Sequence, residues 1–356
     1  MTAMTPRQRW LGFWNGERPD RVPCDFCGSV DITNRLMTDL QCHSERELWE
    51  ALSIDKCVYL APHNPHAREV NWHIPSQFSV WNIESALIPY MDGLGVYWEA
   101  ISTPLAFARD TAEVHLFPWP KPEDWNVGGL RSECLRWAGY PICGASYDPF
   151  YLYCRLRGME QALEDLEKNQ PIVDAIMERI FDVHEGIVRN VMETAGDLVD
   201  FVYVAEDSGT QNSVRMSSKA FRRSIKPWLK KMIELVHSYG ARAFYHSDGA
   251  IRPLLPDLVE MGIDVLSPMQ WHHRGMERNE LARDFGQSVV FHGGIDNRRT
   301  LPFGSPQDVR QQVGENFKAF RQCKGYIVAP CRNVQVDTPT ANLIAMYAAI
   351  NEFGRN

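Results

Sequence analysis

The sequence predicts an α/β protein folded as a (β/α)8 (TIM) barrel, and three observations carry that expectation. Eight short apolar runs alternate with helical segments along the 356 residues. Several of these runs follow a glycine that stops the preceding helix, as Gly240, Gly262 and Gly286 do. The runs are apolar rather than alternating, which suits parallel strands covered on both faces. A doubly wound open sheet is the alternative. Against it, no G-x-G-x-x-G follows the first run and no G-x-x-x-x-G-K-[ST] occurs, so the usual dinucleotide and phosphate-loop signatures are missing.

In chain order, Thr5 is placed to cap a first helix with Pro6 at its first position, and Gly16 stops it. The predicted strands are 22–26, 56–61, 140–146, 198–205, 242–246, 264–267, 288–292 and 325–329. Helices are expected at 44–52, 129–138, 158–168, 170–195, 217–239, 251–261, 277–285, 306–322 and 338–353. Residues 62–128 differ in texture, with frequent Pro, His, Trp and Tyr and short periods. There Tyr97–Thr103 alternates like a hairpin arm, so an irregular and β-ribbon insertion is expected within one domain spanning 1–356.

Composition narrows the function. Formal net charge is −8 without a concentrated Lys/Arg block, which argues against nucleic acid as a partner. The nine cysteines are odd in number and scattered, and no signal-peptide pattern opens the chain. A reduced, cytoplasmic protein is therefore expected. No apolar run approaches the roughly 20 residues of a membrane span, so no membrane partner is expected. The 11 Trp and 12 Tyr suit an aromatic-lined interior or cleft.

Barrels of this type build their sites at the carboxyl ends of the strands. The residues collected there are Asp25 and Cys27, His63, Tyr147 and Asp148, Glu206 and Asp207, His246 and Asp248, Gln270, His292, and Cys331 with Asn333. The set is acidic and rich in His and Cys. His246 and Asp248 stand two residues apart, so in an extended segment both side chains point to one side. With Cys331, and Glu206 or Asp207 as a fourth ligand, they make a candidate zinc site, since zinc accepts mixed N, S and O donors. The alternative is that His246 and Asp248 bond each other or loop backbone, with Cys331 a packed thiol. Adjacent carboxylates such as Glu206 and Asp207 also suit proton transfer, because crowding in a dry pocket raises one of them. Asp207, Glu206 and Asp25 are thus catalytic candidates. Tyr147, Asp148, Gln270, His292 and Asn333 are substrate-binding candidates. Cys24-x-x-Cys27 lacks a second pair and ends a strand, which weakens a redox reading, and His272-His273 read as loop residues.

Longer runs carry a family resemblance. His246-Ser-Asp-Gly-Ala-Ile-Arg-Pro-Leu-Leu-Pro-Asp-Leu258 with Gly262-Ile-Asp-Val-Leu-Ser-Pro-Met-Gln270 resembles the uroporphyrinogen decarboxylase superfamily. So do Asp207-Ser-Gly-Thr-Gln211, His292-Gly-Gly-Ile-Asp296 and Ala329-Pro-Cys-Arg-Asn333. The resemblance implies the same barrel and adds Gln211 to the substrate-binding candidates. The decarboxylases themselves carry an Arg-rich M-R-Q-A-G-R segment, where this chain reads Pro23-Cys-Asp-Phe-Cys-Gly28. The other branch holds cobalamin-dependent methyltransferases, which bind zinc through His-x-Cys and a later Cys. His246 and Cys331 match, and Asp248 stands at the middle ligand. The resemblance then implies zinc-activated methyl transfer between a small donor or acceptor, such as an O-methyl compound or a thiol, and a corrinoid. No Asp-x-His-x-x-Gly motif is present, so the corrinoid is expected on a partner protein. The alternatives are a cofactor-free carboxy-lyase, with Asp25 or Asp207 stabilising a protonated intermediate, and a ligand-binding barrel without turnover.

Overall fold

A computed structural model describes residues 3–65, 76–90 and 95–355. Its strands in chain order are β1 (Val58–Tyr59), β2 (Ser76–Phe78), β3 (Glu84–Tyr90), β4 (Gly95–Ala100) and β5 (Ile142–Tyr147). They continue with β6 (Phe201–Ala205), β7 (Arg242–His246), β8 (Val265–Ser267), β9 (Val290–Ile295) and β10 (Gly325–Pro330). β1, β5, β6, β7, β8, β9 and β10 neighbour one another in that order as one parallel sheet. The sheet is curled. Cys57, Cys143, Phe201, Phe244, Val265, Val290 and Ile327, drawn from or beside every one of its strands, meet in a single apolar cluster on the concave side.

Trp10 completes that cluster from the first helix, Pro6–Asn15, with its ring 5.6 Å from Phe201. Most cluster members sit near the amino ends of their strands, so this helix plugs one end and leaves the carboxyl ends open. The helix forms as its ends dictate. Thr5 and Gln8 make a reciprocal capping box, and Gly16 ends the helix in the left-handed region at φ 69°. The convex face is covered by helices, among them Gln170–Ala195, whose buried positions recur at helical spacing.

Seven of the eight predicted strands are present. The run at 22–26 is instead a single parallel bridge, Cys24 to Val328. Asp25 N donates to Val328 O on one side (2.9 Å), and Asp55 N donates to Cys24 O on the other (2.8 Å). Pro23 removes a donor that a longer ladder needs. The α/β fold with a curled parallel sheet is therefore established, and a complete eight-stranded ladder is not. In the insertion, β2, β3 and β4 form a separate antiparallel sheet, where a ribbon was expected. The run 217–239 divides into Ser218–Ser224 and Lys226–Ser238, because Pro227 lacks the N–H that would continue one helix. Helices Val30–Asp39 and Pro149–Arg157 were not expected, although Ser29 and Pro149 are good helix starters. Among the described residues no helix is long and apolar enough to cross a membrane.

Candidate active site

At the open end, two loops meet backbone to backbone. One follows β6 (Asp207-Ser-Gly-Thr210) and the other follows β7 (Ser247-Asp-Gly249). Ala250 N donates to Thr210 O at 2.7 Å. A Cβ at Gly209 would lie 2.2 Å from Asp248 O, and one at Gly249 would lie 2.5 Å from Thr210 O. Both glycines are required by this approach, and Gly249 also has φ +91°. The contact sets the acidic side chains of the two loops against each other.

Asp207, His246 and Asp248 each offer one ligand atom, all within 4.8 Å of one another. Asp207 Oδ1 lies 3.8 Å from His246 Nε2 and accepts the Asp248 N–H at 3.4 Å. Gln270, which is buried, fixes the second loop. Its Oε1 accepts from Gly249 N at 2.6 Å and its Nε2 donates to Asp248 Oδ1 at 2.9 Å. Arg332 enters from the loop after β10. Its guanidinium donates to His246 Nε2 at 3.1 Å and pairs with Asp248.

Burial dominates the electrostatics. It lowers His246 to about 4, with Arg332 adding to the effect and Asp207 opposing it. The imidazole is therefore neutral at pH 7, the form that ligates a metal. Burial likewise raises Asp248 to about 6, although Arg332 opposes it. Asp148 goes up to about 7 through burial and the nearby Asp207 carboxylate. One oxygen of Asp148 is buried without a hydrogen-bond partner.

The predicted residues separate into groups. Glu206 and Asp207 are consecutive and so point to opposite faces. Asp207 joins the cluster. Glu206 is fully buried in the helix layer, where its Oε2 accepts from Phe150 N at 3.1 Å and its Oε1 has no partner. Burial, with the nearby Asp148 carboxylate, pushes the Glu206 carboxyl well above the usual carboxylate range. Tyr147 shares that layer, its ring 5.4 Å from His184 and 6.2 Å from Phe181. Cys331 is also buried and donates its thiol to Met269 O at 3.3 Å. Burial raises that thiol strongly. The metal-capable group among the described residues is thus His246 and Asp248 with Asp207, not with Cys331 or Glu206.

Asn333 is at the rim, where its Oδ1 accepts from Cys27 at 2.5 Å. Gln211 is exposed; with its amide oriented for bonding, its oxygen accepts from Arg298 at 3.1 Å. Asp25 and His292 form a second polar group on the concave side of the sheet, with His292 Nε2 3.2 Å from Asp25 Oδ2. Sequence reasoning passed over Arg332, Ser267 and Lys56. Arg332 stands inside Ala329-Pro-Cys-Arg-Asn333, and a lone arginine there is not set apart by type from a surface residue.

The donor set suits a cation. It offers one neutral imidazole and two carboxylates converging on a point already visited by a guanidinium. With no thiolate, it favours a harder ion than a Cys-bearing site would.

The comparisons agree with this architecture. The family model described as Uroporphyrinogen decarboxylase (URO-D) matches residues 132–353. Among solved structures, a methyltransferase from Methanosarcina mazei is similar at TM-score 0.69 and 17% identity, over 98% of this chain and 99% of that one. At that identity it shows a shared fold. A B12-independent methionine synthase from a Shewanella species, in complex with selenomethionine, aligns at TM-score 0.46 and 11% identity, over 93% of this chain and 97% of that one. No curated protein matches the sequence.

Proposed function

This chain belongs to the uroporphyrinogen decarboxylase family, and from that premise we propose that it is a methyltransferase acting on a small O-methyl or S-methyl compound. The observation that carries the reading is the Asp207–His246–Asp248 cluster at the carboxyl ends of β6 and β7, on a fold shared with a methyltransferase. In this reading the barrel is of the (β/α)8 type, with residues 22–28 in the eighth place. The three side chains would hold zinc, which when bound polarises the heteroatom carrying or receiving the methyl group. The methyl would pass to or from a corrinoid on a separate partner protein, in the cytoplasm.

This chain's own residues supply the rest. Gln270 fixes Asp248 and so the spacing of the cluster. Neutral His246 keeps a lone pair on Nε2. Asp148, titrating near neutrality beside Asp207, limits the negative charge gathered around the cluster. Arg332 supplies the cluster's counter-charge in the metal-free protein and competes with a divalent ion for the same donor atoms.

Equilibrium dialysis with zinc tests the cluster. Wild type is expected to bind one equivalent and His246→Ala none, while Arg332→Ala binds at least about tenfold tighter, a gain of about 1.4 kcal/mol. Unchanged zinc binding in His246→Ala would sink the assignment. Methyl transfer is tested with methanol, 2-methoxyphenol and dimethyl sulfide as donors and cob(I)alamin as acceptor, followed by the loss of the cob(I)alamin absorption. A second reading is a carboxy-lyase, with Asp25 or Asp207 stabilising a protonated intermediate. In its favour, the Arg332 guanidinium is a carboxylate-binding group inside the site. Release of CO2 from uroporphyrinogen, without methyl transfer, would select it.

A further inference from the structure

Beneath the acidic cluster, the inner surface of the barrel carries a continuous polar chain. Ser267 ends β8 and is the register partner of His246 on β7, so both side chains point to the concave side. Ser267 Oγ lies 3.0 Å from His292 Nδ1, and His292 Nε2 lies 3.2 Å from Asp25 Oδ2. The other Asp25 oxygen accepts from Phe26 N at 2.8 Å, Cys57 N at 3.2 Å and Lys56 Nζ at 3.3 Å. Ser267, His292 and Asp25 are each less than 10% exposed. Trp10 and Phe244 close the walls, their rings 5.9 Å and 5.1 Å from that of His292.

The protonation pattern follows from Asp25. Burial works to raise its carboxyl, but the Lys56 ammonium, His292 and the Phe26 N–H outweigh burial and hold it below the usual range. Lys56 is pushed up to about 12, chiefly by Asp25 acting against burial, and so is a fixed charge. An ionised carboxylate only accepts, so His292 Nε2 carries its hydrogen. In the neutral imidazole, Nδ1 is then the acceptor and must take the Ser267 hydroxyl hydrogen. The titratable or charged groups around His292 are Asp25, Lys56 through Asp25, and His246. A buried ion pair adds little stability over apolar side chains of the same volume, so packing alone gives no reason for this arrangement.

We propose that Ser267, His292 and Asp25 form a proton relay in the floor of the active site, with Ser267 as the group that meets the reacting heteroatom. The relay rests on the methyl-transfer reading. As the heteroatom–carbon bond breaks, the methyl goes to the electron pair of a nucleophilic acceptor, and the bonding pair stays on the heteroatom. His292, neutral at rest, first takes one proton from solvent at Nδ1, and Ser267 turns to accept from it. The heteroatom then takes the Ser267 hydroxyl proton, Ser267 takes the Nδ1 proton, and His292 is left neutral again with Nε2–H still on Asp25. Methylation of an alcohol or thiol runs the same path backwards. Asp25 and Lys56 are positioning residues.

Two measurements test this. Nitrogen-15 NMR of histidine-labelled protein, with the His292 signals assigned from His292→Gln, is expected to show Nε2 protonated and Nδ1 as a hydrogen-bonded acceptor. Ser267→Ala is expected to move Nδ1 toward the free-acceptor position. A tautomer protonated at Nδ1, or an Nδ1 signal unmoved by Ser267→Ala, overturns the relay. In the methyl-transfer assay, Ser267→Ala and His292→Gln are expected to lower kcat about 100-fold with KM little changed. Both are expected to flatten the pH profile and shrink the solvent deuterium effect, while Ser267→Thr restores most of kcat. Wild-type kcat in Ser267→Ala overturns the relay. If wild type transfers methyl from none of the three donors, the methyl-transfer reading fails, and the NMR result alone then upholds or overturns the hydrogen-bonded relay.

Discussion

At the scale of single residues, the site is governed by the cost of burying charge. Asp148 has an ordinary chemical identity and an unusual position, facing Asp207 with one oxygen unpartnered. In the unfolded chain such a carboxyl titrates near 3.9, and in the folded protein near 7. The folded state therefore binds the proton more tightly. Its contribution to stability is fully present below about pH 4 and is lost as pH rises through about 7. Asp248, raised to about 6, acts in the same direction. Asp148→Asn removes the pH-dependent part. Relative to wild type, its thermal midpoint is expected to be a few degrees more favourable at pH 8 than at pH 5, which calorimetry at the two pH values can measure. An offset independent of pH would show that the carboxyl is not held protonated. A site that accepts this cost retains a proton source beside its metal-capable cluster.

At the scale of elements, the decisive contact is between the loops after β6 and β7. The cluster exists because Gly209 and Gly249 let two backbones approach more closely than a side chain allows. Gly249→Ala places a Cβ 2.5 Å from Thr210 O in a left-handed conformation, at a cost of about 1–3 kcal/mol. It is expected to weaken zinc binding at least about tenfold, because Asp207 is carried away from His246 and Asp248. Dialysis alongside a denaturation curve separates the two effects, and full zinc affinity in a destabilised variant would contradict the loop argument. Glu206 belongs to this scale as well. It was a reasonable ligand from sequence, yet it serves helix Pro149–Arg157 by accepting the Phe150 N–H, while its neighbour Asp207 serves the site.

At the scale of the whole molecule, one buried arginine ties the insertion to the sheet-and-helix body. Arg157, 4% exposed, pairs with Asp165 at 2.6 Å and donates to the carbonyls of Leu105, Ala106 and Ala108 at 2.6, 3.1 and 2.8 Å. Arg157→Met leaves Asp165 buried without its cation and frees three carbonyls, which costs about 3–5 kcal/mol. Limited proteolysis is expected to cut the variant first near residues 101–110, whereas a cut elsewhere would place the weak point outside the clamp. The other whole-molecule feature is the curl itself. It brings Asp25, from the chain's first turns, onto His292 from β9, a separation of 267 residues.

The order of residues by itself determined the alternating α/β architecture, most element boundaries and the family. Helix starts such as Thr5 with Pro6, glycine stops and apolar runs act through neighbours a few residues away, so they are legible in one dimension. It also singled out His246 and Asp248, whose shared face follows from a spacing of two. Only the tertiary structure decided which distant groups join them. Asp207 and Glu206 are adjacent and chemically alike, and the face each presents depends on where β6 ends. Cys331 fits a ligand motif, yet its thiol is turned onto Met269 O, outside the Asp207–His246–Asp248 group. Arg332, Ser267 and Lys56 carry no signal by type or spacing. They matter because the sheet curls and because burial makes every charge on its concave face answer to another.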